Sequence, residues 1–209
     1  IISAMACAVD VSVELPDMNI RTRHIDAEKS WVDLLAGDID STSTATNPCI
    51  FPGAFNPIHD GHRGMINSAR EMLGQDVTLE LSIRNVDKPP LDFLTMSERC
   101  TDEYELVFSN APTFAEKSAI FPDTAFIVGL DTIVRIDEPR YYGSETARNQ
   151  ALATMAARGV RFLVFGRQTG DSFNTLTDVS LSKTLEDMCS AVTEDQFRHD
   201  ISSTEIRSR

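Results

Sequence analysis

The chain lacks any apolar run approaching the roughly 18 residues needed to span a bilayer. Its apolar opening, Ile1 to Val9, has neither a basic start nor a cleavage-site context. A soluble protein without a membrane partner is therefore expected. Cysteine is sparse and scattered: Cys7, Cys49, Cys100 and Cys189 show no C-x-x-C spacing, which argues against a disulfide framework or a zinc site and fits a reducing cytoplasm. Positive charge is scarce as well. Lys and Arg total 19 against 32 Asp and Glu, a formal charge of −13, so a nucleic-acid partner, which needs a basic face, is disfavoured. A polyanionic ligand could be held only by local positive potential from helix N-termini, a few Lys or Arg, and a divalent cation.

What is present is ordinary globular composition. With 209 residues, 42% hydrophobic and 24% charged, the chain can bury one α/β core and carry an appendage. It opens on Ile1, and its last helical signal is cut off at Arg209, so a piece of a longer polypeptide is expected. The first 47 residues read differently from the rest. A strand over Ala6 to Leu15 and a short helix over Ala27 to Ala36 carrying Trp31, the single tryptophan, lead into a polar linker, Asp38 to Asn47. These features predict an N-terminal segment and linker over 1–47 and a domain over 48–209.

From Cys49 onward strand and helix patterns alternate. Cys49-Ile50-Phe51 predicts a buried strand, followed by a turn through Pro57 and a helix with Met65, Ile66, Ala69, Met72 and Leu73 on its apolar face. Gly74 sits where a C-terminal cap belongs. Val77, Leu79, Leu81 and Ile83 alternate with polar residues, predicting a strand with one face buried more deeply. Thr95-x-x-Glu98 has capping-box spacing and predicts a helix through Phe108. Ala125 to Val128 is a short apolar strand, Ser144 to Arg158 a helix stopped by Gly159, and Val160 to Phe165 a further strand. The alternation predicts an α/β, Rossmann-like open parallel sheet with helices on both faces, whose ligands bind beyond the carboxyl ends of the strands.

The loop after the first strand carries the strongest chemistry. His59 and His62 stand three apart at a helix start, where both imidazoles and the free backbone N–H groups can address one anion. Gly53 and Gly61 permit close approach to the main chain. Taken alone, the two histidines could equally be solvated or structural. Ile201-Ser202-Ser203-Thr204-Glu205-Ile206-Arg207 is a helix start with hydroxyls and a cation one turn in, suited to phosphates, although Ser202-x-x-Glu205 alone could be a plain capping box.

Together, Gly53-x-Phe55-Asn56-Pro57-x-His59-x-Gly61-His62 and the Ile201 to Arg207 segment resemble the signatures of the nucleotidylyltransferase superfamily. The resemblance implies nucleotide binding by Gly53, Ala54, Phe55, Asn56, His59, His62, Ser202, Ser203, Thr204 and Arg207, with His59, His62, Lys88 and Arg207 as catalytic residues. Asn85-x-x-Lys88-Pro89 and Ser97-Glu98-Arg99 are similar to a segment of phosphopantetheine adenylyltransferases, implying that Lys88 and Arg99 meet the acceptor. Gly129-x-Asp131 resembles the motif at the end of a central strand, near the acceptor or ribose. For these, a solvated turn lysine, an arginine paired with a helix carboxylate and a helix-capping aspartate are the alternatives. Arg167 could touch base or phosphate.

Pro-Arg-Tyr-Tyr (139–142) and Asp200 to Arg207 further resemble a cytidylyltransferase-like group found downstream of a nicotinamide-mononucleotide-amidase-like domain. The implied reaction moves NMP from an NTP to a phosphorylated small molecule, with Mg²⁺ carried on the NTP phosphates. Ile-Ser-Ser-Thr with Arg207 resembles the adenylyltransferases more than the cytidylyltransferases, which implies ATP over CTP, and Tyr141 or Tyr142 could stack on an aromatic acceptor. The competing reading is a non-catalytic nucleotide sensor attached to another domain.

Overall fold

The computed structural model describes residues 23–43, 47–84, 90–169 and 172–197. In chain order these form α1 (Lys29–Ala36), β1 (Cys49–Pro52), α2 (Asp60–Leu73), β2 (Thr78–Ser82), α3 (Phe93–Arg99), β3 (Leu106–Ser109), α4 (Phe114–Ile120), β4 (Ala125–Gly129) and α5 (Leu130–Asp137). A 3₁₀ turn (Pro139–Tyr141), α6 (Glu145–Ala157), β5 (Arg161–Phe165), β6 (Arg167–Thr169), β7 (Ser172–Asn174), a second 3₁₀ turn (Leu176–Asp178), α7 (Lys183–Glu186) and β8 (Cys189–Val192) complete them.

The six-stranded sheet runs β3-β2-β1-β4-β5-β8, and every neighbouring pair is parallel. The strand order reverses between β1 and β4, so the loops β1–α2 and β4–α5 leave the same edge in opposite directions and open a crevice there. Parallel strands covered on both faces read as nearly continuous apolar runs, which is why Cys49 to Phe51, Ala125 to Val128 and Phe162 to Phe165 are all buried.

Two cores flank the sheet. One gathers Trp31, Leu34, Phe51, Ile66, Ala69, Leu79, Leu81, Met96 and Phe108 under α1, α2 and α3. The other gathers Phe126, Val128, Ile133, Ile136, Leu152, Met155, Phe162 and Leu185 under α5, α6 and α7. Local signals set the element ends. Gly74 and Gly159 take left-handed backbone, with φ of 65° and 73°, after α2 and α6, a conformation that costs glycine little. The Ser144 hydroxyl accepts from Ala147 N–H at 3.1 Å and starts α6.

Four sequence expectations are corrected. The helix predicted from Thr95 to Phe108 ends at Arg99, its cap is Asp92, and Leu106 to Ser109 form strand β3. The polar side of β2 is buried too, because Thr78 and Glu80 are both 0% exposed. Met72 and Leu73, placed on the inner face of α2, are exposed at its last turn. The polar stretch after α1 is not a bare linker: Ser41 bridges Ser109, Thr42 N–H donates to Phe108 O and Asn110 N–H to Asp40 O, so it lines the edge of β3. Ala6 to Leu15 lies outside the described residues. Among the described residues, no helix is long and apolar enough to cross a membrane.

Candidate active site

The β1–α2 loop is shaped by aromatic packing. After β1 the chain turns at Phe55, whose φ of 42° is left-handed, and Asn56–Pro57 is a cis peptide. The Phe55 ring is buried, meeting Phe51 and His62 edge-on at 5.5 and 5.3 Å. Phe55 thus supports the histidine from below. A Cβ on Gly53 would come within 2.7 Å of that ring, so glycine is required here by the phenylalanine, a reason the sequence alone does not disclose. Gly53→Ala is expected to lower stability by about 1–3 kcal/mol through overpacking. Phe55→Leu should offset part of that loss in a double-mutant cycle read by thermal melts; additive losses would show that the two positions do not compete for space.

His59 is the N-cap of α2, and its backbone N–H donates to His62 Nδ1 at 3.3 Å. The two rings stack with centroids 3.7 Å apart and planes 27° apart. Because Nδ1 accepts, the neutral tautomer of His62 carries its proton on Nε2 and offers an N–H donor. Burial, then the neighbouring His59 and Arg63, pushes His62 down to about 4. The first helical bond of α2 is Arg63 N–H to His59 O and the His62 amide faces the His59 side chain in a capping box, so the amides of Asp60 and Gly61 are left to give the helix start an anion-binding character.

Beside this loop lies a cavity of about 570 Å³ lined by Gly53, Ala54 and Asn56 from the loop, Glu80 and Arg84 from β2 and its end, Arg99 from α3, Lys117 from α4 and Thr132 from α5. Arg84, Arg99 and Lys117 outnumber the lining carboxylates Glu80 and Asp92. Neither Arg84 nor Arg99 has an ion-pair partner among the described residues. An acidic chain therefore holds a locally cationic hollow against the loop that leads to its two histidines.

The family model for cytidylyltransferase-like proteins matches residues 50–209. The chain belongs to the cytidylyltransferase-like family. No curated protein matches it. Membership supports nucleotidyl transfer as a general activity, and the matched span takes in β1 from Ile50, the histidine loop and the other five strands of the parallel sheet.

Within this cytidylyltransferase-like domain the expected residues fall into three groups. Gly53, Ala54, Asn56 and Arg99 line one cavity, with His59 and His62 following directly on the loop; Phe55 of the same loop does not line it, being buried against Phe51 and His62. Gly129 and Asp131 lie elsewhere. Gly129 is the N-cap of α5, so Asp131 is not its cap, and the exposed Asp131 carboxylate pairs with Arg167 at the start of β6. Asp131 lines a separate hollow of about 400 Å³ with Arg135, Asn174 and Asp178. Arg167 is thus engaged by a carboxylate. The third group, Lys88 with Ser202, Ser203, Thr204 and Arg207, lies outside the described residues.

Sequence reasoning missed Glu80, Arg84 and Lys117. Lys117 stands in the helix opened by Thr113-x-x-Glu116, a capping box visible in the sequence. Glu80 stands in the polar phase of β2. Among the described residues no three His, Cys, Asp or Glu converge on a metal position, and burial pushes the Cys49 and Cys189 thiols up to about 11 and 12.

The depressed His62 also predicts a pH dependence of folding. In the unfolded chain the imidazole titrates near 6.5, whereas in the fold it does so near 4. As pH falls the unfolded state binds the proton first, so the stability present above about 6.5 is lost down to about 4. Allowing for screening of a half-buried ring, the contribution is on the order of 1–2 kcal/mol. His62→Gln, which keeps an acceptor at the N3 position, should flatten the slope of melting temperature against pH in that window. Identical slopes would show that His62 does not set it.

Proposed function

We propose that this domain transfers an NMP unit from an NTP to a phosphorylated small molecule and releases pyrophosphate. The observation that carries the reading is the juxtaposition at the sheet's switch point: a preorganised pair, His59 and His62, at the start of α2, beside a cationic cavity able to hold an acceptor. An acceptor phosphate oxygen would attack the α-phosphorus in line. One P–O bond forms, the bond to the β-phosphate oxygen breaks, and pyrophosphate departs with its electron pair. Such a reaction needs positioning and charge stabilisation rather than a covalent nucleophile.

In this scheme His62 donates from Nε2 to a phosphate oxygen and the amides at the α2 start hold its neighbours. Arg84 and Arg99 draw in the acceptor phosphate. Lys88, Ser202, Ser203, Thr204 and Arg207 are assigned to the reacting and leaving phosphates on their motifs alone. Mg²⁺ enters as part of the NTP complex, which brings its own phosphate oxygens. The Ile-Ser-Ser-Thr run with Arg207 inclines the choice of base to ATP.

The test is a pyrophosphate-release screen with Mg²⁺ across ATP, CTP, GTP and UTP against phosphorylated acceptors. Release with ATP at least tenfold above CTP supports the full reading. Release with CTP alone overturns the base while keeping the reaction. Tight NTP binding without release for any acceptor replaces catalysis with a sensor.

A further inference from the structure

The floor of the cavity holds a charged group unusual for the middle of a sheet. Glu80 lies on the central part of β2, paired in register with Pro52 on one side and Val107 on the other. Its side chain is 1% exposed and that of Lys117, reaching in from α4, is 6% exposed. Both nevertheless line the cavity. An ion pair this deep has lost most of its hydration, so each polar atom needs a partner.

The partners can be followed atom by atom. The Lys117 ammonium donates to Glu80 Oε1 and Oε2, both at 2.7 Å, and to Ala111 O at 2.8 Å, which uses its three hydrogens. Ser109 Oγ donates to Glu80 Oε1 at 2.5 Å and accepts from Ala111 N–H at 3.2 Å. Lys117 is therefore saturated. The carboxylate has room for about four hydrogen bonds, and among the described residues Oε1 accepts two and Oε2 one. The remaining acceptor capacity of this ion pair is on Glu80 Oε2. Since Lys117 already balances the charge, what fits there is a neutral donor, an amide N–H or a hydroxyl, rather than a second ammonium.

Arg84 is four residues further along the same strand and its exit, about 13 Å of extended chain, and no ion pair occupies it among the described residues. Resting on the function proposed above, we propose that Glu80 selects the acceptor substrate: a phosphomonoester of about mononucleotide size, whose phosphate meets Arg84 and Arg99 while a neutral N–H or O–H at its far end donates to Glu80 Oε2. The backbone strengthens the assignment. Gly53 N–H donates to Glu80 O at 2.9 Å, so the residue that reads the acceptor also anchors the loop leading to the histidines.

Glu80→Gln tests this by inverting one hydrogen-bond polarity. The glutamine oxygen, at the Oε1 position, keeps Ser109 and one Lys117 bond. Its NH₂ replaces Oε2, gives up the second Lys117 bond and presents a donor. Thermal melts confirm that the variant folds before its binding is compared. The probes are nicotinamide mononucleotide and nicotinic acid mononucleotide, which match in size and differ as carboxamide donor against carboxylate acceptor. Binding of each to the full chain is measured by calorimetry, and pyrophosphate release with MgATP and MgCTP is measured separately.

The wild type should prefer the carboxamide by roughly 10- to 100-fold, the scale of one satisfied against one unsatisfied buried group. Glu80→Gln should reverse the order. Ser109→Ala, which loosens the same network without changing what faces the cavity, should keep the wild-type order. Equal losses for both probes in Glu80→Gln would mark a structural role and overturn the proposal, as would a wild type that binds neither probe or does not distinguish them. A reversal of binding without pyrophosphate release would uphold the selection by Glu80 and remove the catalytic reading. Release with unchanged preference would do the opposite.

Discussion

His62→Ala is expected to lower turnover by about 10²- to 10³-fold, the effect of removing one preorganised donor from a transition-state site. The ring is held from three directions: His59 stacks on it at 3.7 Å, Phe51 and Phe55 meet it edge-on at 5.7 and 5.3 Å, and its Nδ1 accepts from the His59 amide. A donor so fixed needs no reorganisation as charge develops on the transferred phosphate. Affinity for the NTP should fall much less, because the amides at the α2 start and Mg²⁺ still meet ground-state charge. Melting temperature, NTP affinity and pyrophosphate release, measured on both proteins, separate the outcomes. Activity that declines only in proportion to the folded fraction would make His62 a packing residue, and unchanged turnover in a well-folded variant would remove it from the mechanism.

The donor role and the pH profile constrain each other. A His62 that is neutral at pH 7 because burial holds it near 4 donates from Nε2 without carrying charge. An approaching polyphosphate favours the imidazolium and raises that value. Turnover should then persist to lower pH than the apo protein's stability would suggest. The locally cationic cavity acts in the same direction on the acceptor, and together they reconcile a chain of charge −13 with the polyanionic substrate proposed for it.

The open parallel sheet was legible because its central strands are short, apolar and separated by helical periods. β1 and β4 begin at the expected Cys49 and Ala125, and β5 begins at Arg161, one residue after the expected Val160. β3 was not legible. Cys100, Tyr104, Val107 and Phe108 happen to fit a helical spacing, and a four-residue strand cannot outvote a preceding capping pattern. The side chain that caps α3 is Asp92, accepting from Thr95 N–H at 2.7 Å, so Thr95 is a third-position residue rather than a cap. β8 is a short edge strand whose place beside β5 comes from pairing, not from its own sequence. Within the site, the two histidines stood out because their spacing matches a helix start. The Glu80–Lys117 pair did not, because its partners are separated by β3 and meet only when α4 packs on the sheet.

Removal of residues 1–47 is expected to unfold the remaining chain or leave it far less stable. Composition places a boundary near Asn47, and if those residues only tail off from an upstream domain their loss should be silent. The packing of α1 argues for a large effect. Trp31 and Leu34 are 7% and 0% exposed in the core under the sheet, and Trp31 meets Phe108 of β3 edge-on at 5.6 Å. Truncating such residues singly costs about 3–5 kcal/mol for Trp and 2–5 kcal/mol for Leu, against a typical total stability of about 5–15 kcal/mol. The polar contacts add to this. Asn110 Nδ2 donates to Leu34 O at 2.6 Å and to Ile39 O at 3.2 Å, and Thr42 N–H covers Phe108 O at the edge of β3; without them the edge strand is bare. Trp31→Ala separates packing from truncation, since it should cost about 3–5 kcal/mol while keeping the edge contacts. Thermal melts of the full chain, Trp31→Ala and residues 48–209, each with and without MgATP, decide the matter. A truncated chain that melts with the full one and keeps its ATP-dependent shift would make α1 an appendage and place the domain boundary at Asn47. A truncated chain that fails to fold, beside a Trp31→Ala variant that folds but melts lower, would make α1 part of the catalytic domain's core, because the edge contacts then supply what the tryptophan alone does not.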